Sequence, residues 1–234
     1  MQLPNAPAIL VSLPRNDRAL AEAAKSAGAY GLKVHVNVTH RASGTAFGCV
    51  EEEASRLQEV LDVGLPTGLV VGAGTRVLAS EMRAAQQMGF DYFDVYAYDA
   101  PVDYVKLCGD VTPVAAIGPG DGCHQASALV GLGVLALEMS TLHPDLYGTP
   151  LSLATLARLT QVAGAVQVPV IVPSQHRLIP SDIGPLLAAG AAAILLGTVV
   201  TGQEPEQIES AVRAFVTSAA NVGAARPSGA SQSG

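Results

Sequence analysis

Tryptophan is absent from this chain, and aromatic residues of all kinds reach only 4%. The apolar mass is therefore Ala, Val, Leu and Ile, within a hydrophobic fraction of 49%. That composition suits strands buried on both faces, as in a parallel sheet covered by helices. Charge is scarce too, at 14% of residues, and leans acidic: 20 Asp and Glu against 13 Lys and Arg, a net charge of -7. No basic cluster offsets that balance, which argues against nucleic acid as a partner. The three cysteines, Cys49, Cys108 and Cys123, are scattered and form no C-x-x-C. A disulfide framework or structural zinc site is not expected from them, and a reducing cytoplasm is the expected compartment. No apolar run approaches membrane-spanning length; the closest, Ala188 to Val200, is interrupted by Gly190 and Gly197. Met1 to Pro7 lacks the charged and apolar regions of a signal peptide.

What the chain does have is a regular alternation of strand and helix. Strands are expected at Ala8–Leu13, Leu32–Val38, Gly68–Val71, Tyr92–Tyr98, Val114–Ile117, Val134–Met139, Val168–Val172 and Ala192–Leu196. Helices are expected at Arg18–Ala27, Glu51–Val63, Arg76–Met88, Val102–Leu107, His124–Leu132, Leu151–Val166, Ser181–Ala189 and Pro205–Ala220. Asn16 or Asp17 is placed to cap the first helix, and Glu51, Glu52 and Glu53 complement the dipole of the second. Eight such units predict a closed, single-domain (β/α)8 TIM barrel over residues 1–222, with a disordered Gly/Ser/Ala/Pro tail at 223–234. A doubly wound open sheet is the competing architecture. No G-x-G-x-x-G follows the first strand to support it.

In that frame His35, His40, His124, His143 and His176 all fall at or just past the C-terminal ends of strands. That end carries the chemistry of barrel enzymes, although loops also collect polar residues for no catalytic reason. Alternation along the second strand puts Lys33, His35 and Asn37 on one face and Leu32, Val34, Val36 and Val38 on the other. The apolar set meets the helices, so the polar set points into the barrel. Lys33 is one of only three lysines. Buried, it is either an acid/base or Schiff-base amine, or half of a structural ion pair. Glu138, inside the apolar sixth strand, is its natural partner. In the fourth strand Tyr92, Asp94, Tyr96 and Tyr98 share a face; Asp94 or Asp99 is a candidate to join the site, although Asp99-Ala100-Pro101 also reads as a plain turn. Arg41, in the donor-rich loop after the second strand, has the planar fork that suits phosphate or carboxylate. The Gly118–Gly122 loop places amides before a helix start, an arrangement that favours anions.

The last quarter carries a family signal. Val168–Val172, Ile179–Asp182 and Leu187–Thr198 resemble the final strands of phosphate-binding TIM barrels. The resemblance implies a phosphate grip made by Gly197 and Thr198 after the eighth strand and by Ser174, His176 and Arg177 after the seventh. The usual Gly-Gly of the seventh turn is replaced by Pro173-Ser174-Gln175. The stretch continuing through Val199–Gly202 is similar to N-acetylmannosamine-6-phosphate 2-epimerase and thiazole synthase. The epimerase's lysine and glutamate have no counterparts here, since Leu69–Gly72 and Pro173 or Ser174 occupy those places. Separately, Leu137–Ser140 with Tyr147–Pro150 resembles a segment of geranylgeranylglyceryl-phosphate synthases, which implies a glycerol-phosphate site at Glu138 and Tyr147.

The expectation is a cytoplasmic isomerase or epimerase moving a proton on a small, anionic, phosphorylated carbohydrate. Lys33 and Glu138 are its acid/base pair, with His35 or His40 polarising a carbonyl or shuttling the proton. Asn37, Arg41, Ser174, His176, Arg177, Gly197 and Thr198 hold the substrate. No cofactor, metal or membrane is expected, and barrels of this kind are compatible with a homodimer. The alternatives are a Schiff-base lyase using Lys33, a metal-dependent enzyme built on the histidines and Glu138, a glycerol-phosphate prenyltransferase-like enzyme, and a barrel that binds without catalysis.

Overall fold

A computed structural model describes residues 7–74 and 77–225. Eight parallel strands close into one barrel in sequential order: β1 (Ala8–Ser12), β2 (Gly31–His35), β3 (Thr67–Val70), β4 (Tyr92–Tyr96), β5 (Thr112–Ile117), β6 (Ala136–Met139), β7 (Val170–Pro173) and β8 (Ala193–Leu196). The helices around it are α1 (Arg18–Ser26), α2 (Val50–Leu61), α3 (Ala79–Gln86), α4 (Tyr104–Cys108), α5 (Cys123–Gly131), α6 (Leu153–Ala165), α7 (Ile183–Ala188), a single turn α8 (Thr198–Thr201) and α9 (Pro205–Ala225). Among the described residues no helix is long and apolar enough to cross a membrane.

The larger core lies between barrel and helices, where Leu20, Leu57, Met82, Leu159, Leu186 and Phe215 meet the outward residues of the strands. A smaller one fills the barrel's lower interior with Leu10, Tyr92, Val114, Ile171 and Leu195 among small alanines. Tyr92 is the fully buried ring of this lower core, and its hydroxyl donates to the Leu32 carbonyl at 3.1 Å. Gly68 on the neighbouring strand makes room for it, since a Cβ there would overlap the ring.

The register shows how the interior is layered. Lys33 aligns with Gly68 and Gly68 with Tyr92, so two residues must be added on β4 to regain the level of Lys33, which gives Asp94. The same step from Asp94 through Val114 and Ala136 gives Glu138. From Glu138 through Ile171 and Ala193 it gives Leu195, and from Leu195 through Leu10 and Gly31 it returns to Lys33. Four steps of two residues make a stagger of eight, the value for barrels of this class. Alternate strands thus share a layer, and Lys33, Asp94, Glu138 and Leu195 form one.

Several boundaries differ from those the sequence implies. β2 stops at His35, because Asn37 takes a left-handed backbone (φ 56°) and ends the alternation. β4 stops at Tyr96, whose carbonyl accepts both the Asp99 and the Ala100 N–H and closes a turn. Asp17 caps α1, accepting from Ala19 and Leu20 N–H, while Asn16 turns inward. The last helix runs to Ala225, past the expected start of the tail. Residues 226–234 lie outside the described residues, as does Arg76.

Gly68→Ala is expected to cost about 1–3 kcal/mol in urea unfolding, the usual range for overpacking. In a Tyr92→Val background the same change should cost much less. Equal costs in both backgrounds would show that the two positions do not collide.

Candidate active site

A cavity of about 380 Å³ opens at the C-terminal end of the strands. Its floor is the charged layer. Lys33 Nζ lies 2.5 Å from Glu138 Oε2 and 3.2 Å from Asp94 Oδ2, and all three side chains are buried. Burial works against the Lys33 charge, but the two carboxylates outweigh it and hold its pKa above the ordinary lysine value. Burial and then the Asp94 charge push the Glu138 carboxyl upward, with the Lys33 ammonium opposing and outweighed. Two carboxylates facing one ammonium cannot both be balanced in so dry a place, so a proton on Glu138 is the inexpensive solution. Asp94 Oδ1 is buried without a partner.

His35 and His40 stand above this layer with ring centroids 4.7 Å apart, and Phe47 packs 5.1 Å from His35. Burial lowers the His35 pKa well below the ordinary value, aided by His40 and then Lys33. Burial also brings His40 down to about 4, helped by the Lys33 charge. Both rings are therefore neutral near pH 7. His40 Nδ1 lies 2.8 Å from Ser43 Oγ and 3.3 Å from the Ser43 backbone N–H; the tautomer in which Nδ1 accepts from both carries its proton on Nε2. Asn16 positions His35: its amide donates to the His35 carbonyl at 2.8 Å and accepts the His35 N–H at 3.2 Å. A buried side chain thereby continues the β1–β2 ladder past the end of β1.

The other expected residues divide. Arg41, Ser174, Gly197 and Thr198 line the cavity. Arg41 is exposed at the rim, 3.8 Å from Asp145. Ser174 Oγ already accepts the Gly197 N–H at 2.8 Å, and Thr198 Oγ1 is buried without a partner. Three do not reach the cavity. Asn37 turns away on its left-handed backbone and donates to Glu81 at 2.8 Å. His176 packs outward, its Nε2 2.8 Å from Thr155 Oγ1 on α6. Arg177 is exposed, with its backbone N–H bound to the Thr149 carbonyl. The Gly118–Gly122 loop also departs from an anion cradle, because Asp121 takes the Gly118 N–H and adds a negative charge. All five histidines lie at the barrel's upper end, yet only His35 and His40 meet; His124 and His143 are exposed. Among the described residues no three of His, Cys, Asp and Glu gather in metal-binding geometry.

The structure adds residues that the sequence left unassigned. Tyr96 Oη lies 2.7 Å from Ser140 Oγ, to which Gln175 also donates at 3.0 Å. Gln175 Oε1 accepts the Thr141 and Leu142 N–H groups and so fixes the loop after β6. Beneath that loop Arg158 donates to the carbonyls of Gly118, Asp121 and Ser140 at 2.6–3.2 Å, tying two strand ends together. Inward alternation on β4 and β6 points to Tyr96 and Ser140. For Gln175, in an irregular turn, no periodic signal exists.

Removing Lys33 leaves two buried carboxylates facing each other. Lys33→Met should therefore lose about 3–5 kcal/mol at pH 7, and less in acid, where the carboxyls are protonated. An unchanged urea midpoint at pH 7 would contradict the ion cluster. As pH falls from 6.5 toward 4, the unfolded chain protonates His40 and the folded chain does not, so stability is lost through that window. Against His40→Gln, in which the carboxyls still titrate, the wild type should lose up to about 1.4 kcal/mol per pH unit. Parallel stability curves for the two proteins would contradict this.

Neither a protein-family model nor a curated protein sequence matches the chain. Its fold is that of solved TIM barrels. A tryptophan synthase chain from Mycobacterium tuberculosis aligns with a TM-score of 0.73 at 13% identity, over 92% of this chain and 93% of that one. A thiamine phosphate pyrophosphorylase from Pyrococcus furiosus aligns with a TM-score of 0.62 at 13% identity, over 93% and 96%. A native KDPGal structure aligns with a TM-score of 0.64 at 16% identity, over 95% and 98%. At these identities the likeness establishes the (β/α)8 barrel and nothing finer.

Proposed function

We propose that this barrel is an enzyme that moves a proton at a carbon beside a carbonyl, an isomerase or epimerase of a small anionic substrate. The strand 7–8 resemblance implies a phosphorylated carbohydrate, but two of the grip residues it names, His176 and Arg177, do not reach the cavity, so the reading commits only to an anionic carbonyl compound. The reading rests on one observation: a carboxyl with an upward-shifted pKa, Glu138, in contact with a lysine held as its ammonium, at the floor of an open cavity. A carboxyl shifted toward neutrality both accepts and returns a proton at working pH.

The steps follow from the residues present. The Glu138 carboxylate takes the proton from carbon, and the C–H electron pair moves into an enolate. The oxygen that gains charge is stabilised by the Lys33 ammonium and by the Nε2–H of neutral His40. Return of the proton from Glu138 to the neighbouring carbon gives the isomer, with His40 giving its Nε2 proton to the first oxygen and taking up the hydroxyl proton of the neighbouring carbon; for the epimer the Lys33 ammonium gives a proton to the opposite face and Glu138 keeps the one it took. In this scheme Lys33 supplies charge and takes no proton from carbon. A Schiff base needs a neutral amine, and the two carboxylates oppose that state. A substrate whose anionic group is remote from its carbonyl places that group at the rim, where Arg41, Gly197 and Thr198 line the cavity; in a 2-oxo acid the carboxylate stays beside the carbonyl, against the Lys33 ammonium.

The test is deuterium exchange in heavy water, followed by proton NMR, over a panel of phosphosugars and simple 2-oxo acids. Glu138→Gln should lower exchange about 10²- to 10⁴-fold, the range for a general acid–base, while the melting temperature shows a folded barrel. Wild-type exchange should rise with pH, because the carboxylate is the form that takes the proton. Exchange that survives Glu138→Gln would remove Glu138 from the chemistry.

A further inference from the structure

The cavity divides its chemistry by height. The charged cluster occupies the floor, and above it the walls are largely apolar, with Val38, Val70, Ala116, Pro173 and Val199. Several of the polar wall groups are already engaged. Ser174 Oγ accepts from Gly197, Tyr96 pairs with Ser140, and Gln175 spends its amide on Ser140 and on the loop after β6. A molecule bearing hydroxyls on every face would leave some of them without partners there.

One wall is aromatic. Tyr96 and Tyr98 stack with centroids 4.9 Å apart and planes 16° from parallel. Tyr98 is 71% exposed, yet the turn beneath it is fixed by the Asp99 and Ala100 N–H groups on the Tyr96 carbonyl, at 2.9 and 3.0 Å. Half-buried Tyr147 also lines the cavity, so three of the chain's 6 tyrosines surround this one space. In a chain with no tryptophan and 4% aromatics, that concentration is specific to the site.

We propose that the substrate carries a flat aromatic or conjugated ring that lies against the Tyr96–Tyr98 stack, with its anionic carbonyl end toward Lys33 and Glu138. The placement of the carbonyl rests on the proton-transfer reading above. The recognition of the ring rests on the tyrosines alone. A flat ring offers its face to the stack at little entropic cost and asks for no hydrogen bonds from the apolar walls.

Two probes decide it: phenylpyruvate and 3-cyclohexylpyruvate, which share the anionic carbonyl head and similar bulk but differ in flatness. Calorimetric titration of the full chain should show the phenyl compound binding about 2- to 12-fold tighter, the ratio expected of one aromatic pair. Tyr98→Ala, at an exposed position, should abolish that preference with an unchanged melting temperature. Equal affinities, a preference that survives Tyr98→Ala, or no binding of either probe would each overturn the proposal. Deuterium exchange above the protein-free rate separates the two readings. Ring-selective binding without exchange leaves the ring site standing and removes the proton transfer. Exchange on open-chain phosphosugars with no ring preference does the reverse.

Discussion

One lysine facing two carboxylates in the middle of a barrel is the constraint around which the upper half of this protein is arranged. Lys33, Asp94 and Glu138 come from strands that are not neighbours, and the barrel's stagger brings them to one level. None of the three is tolerable alone at that depth. Together they hold the ammonium firmly and leave the carboxylates competing for a proton. The histidines above are neutral because burial disfavours imidazolium, and the Lys33 charge adds to the effect.

The level below has the opposite character. Tyr92 fills space that Gly68 vacates, and alanines and branched residues close the rest. The reactive layer therefore rests on a packed plug with little room to sink or tilt. Asn16 steadies the layer above by extending the β1–β2 ladder through its side chain. Positional control comes from packing below and hydrogen bonding at the side.

The eight units were legible in the sequence because buried parallel strands and amphipathic helices differ so clearly in period. Lys33, His35 and Glu138 were legible for the same reason: a polar residue on the wrong face of an apolar strand stands out. Asp94 and Tyr96 lay on a visible alternating face, although nothing in β4 alone named their partners. Legibility ended where the ladder ended. Carrying the alternation on to Asn37 goes one step too far, because Asn37 itself takes a left-handed backbone. His176 and Arg177 sit in a turn whose direction is set by contacts with α6 and with the loop before it, at Thr155 and Thr149, so no local period reports where they point.

The Arg158 clamp has a consequence of another kind. Its guanidinium grips only main-chain carbonyls, those of Gly118, Asp121 and Ser140. A carbonyl is present whatever amino acid a position carries, so these bonds depend on the path of the backbone. The Asp121 side chain helps to fix that path, by accepting the Gly118 N–H. Side chains facing the cavity from those loops are thus separable from the bonds that hold the loops in place, so the lining of the mouth and its frame are set by different atoms.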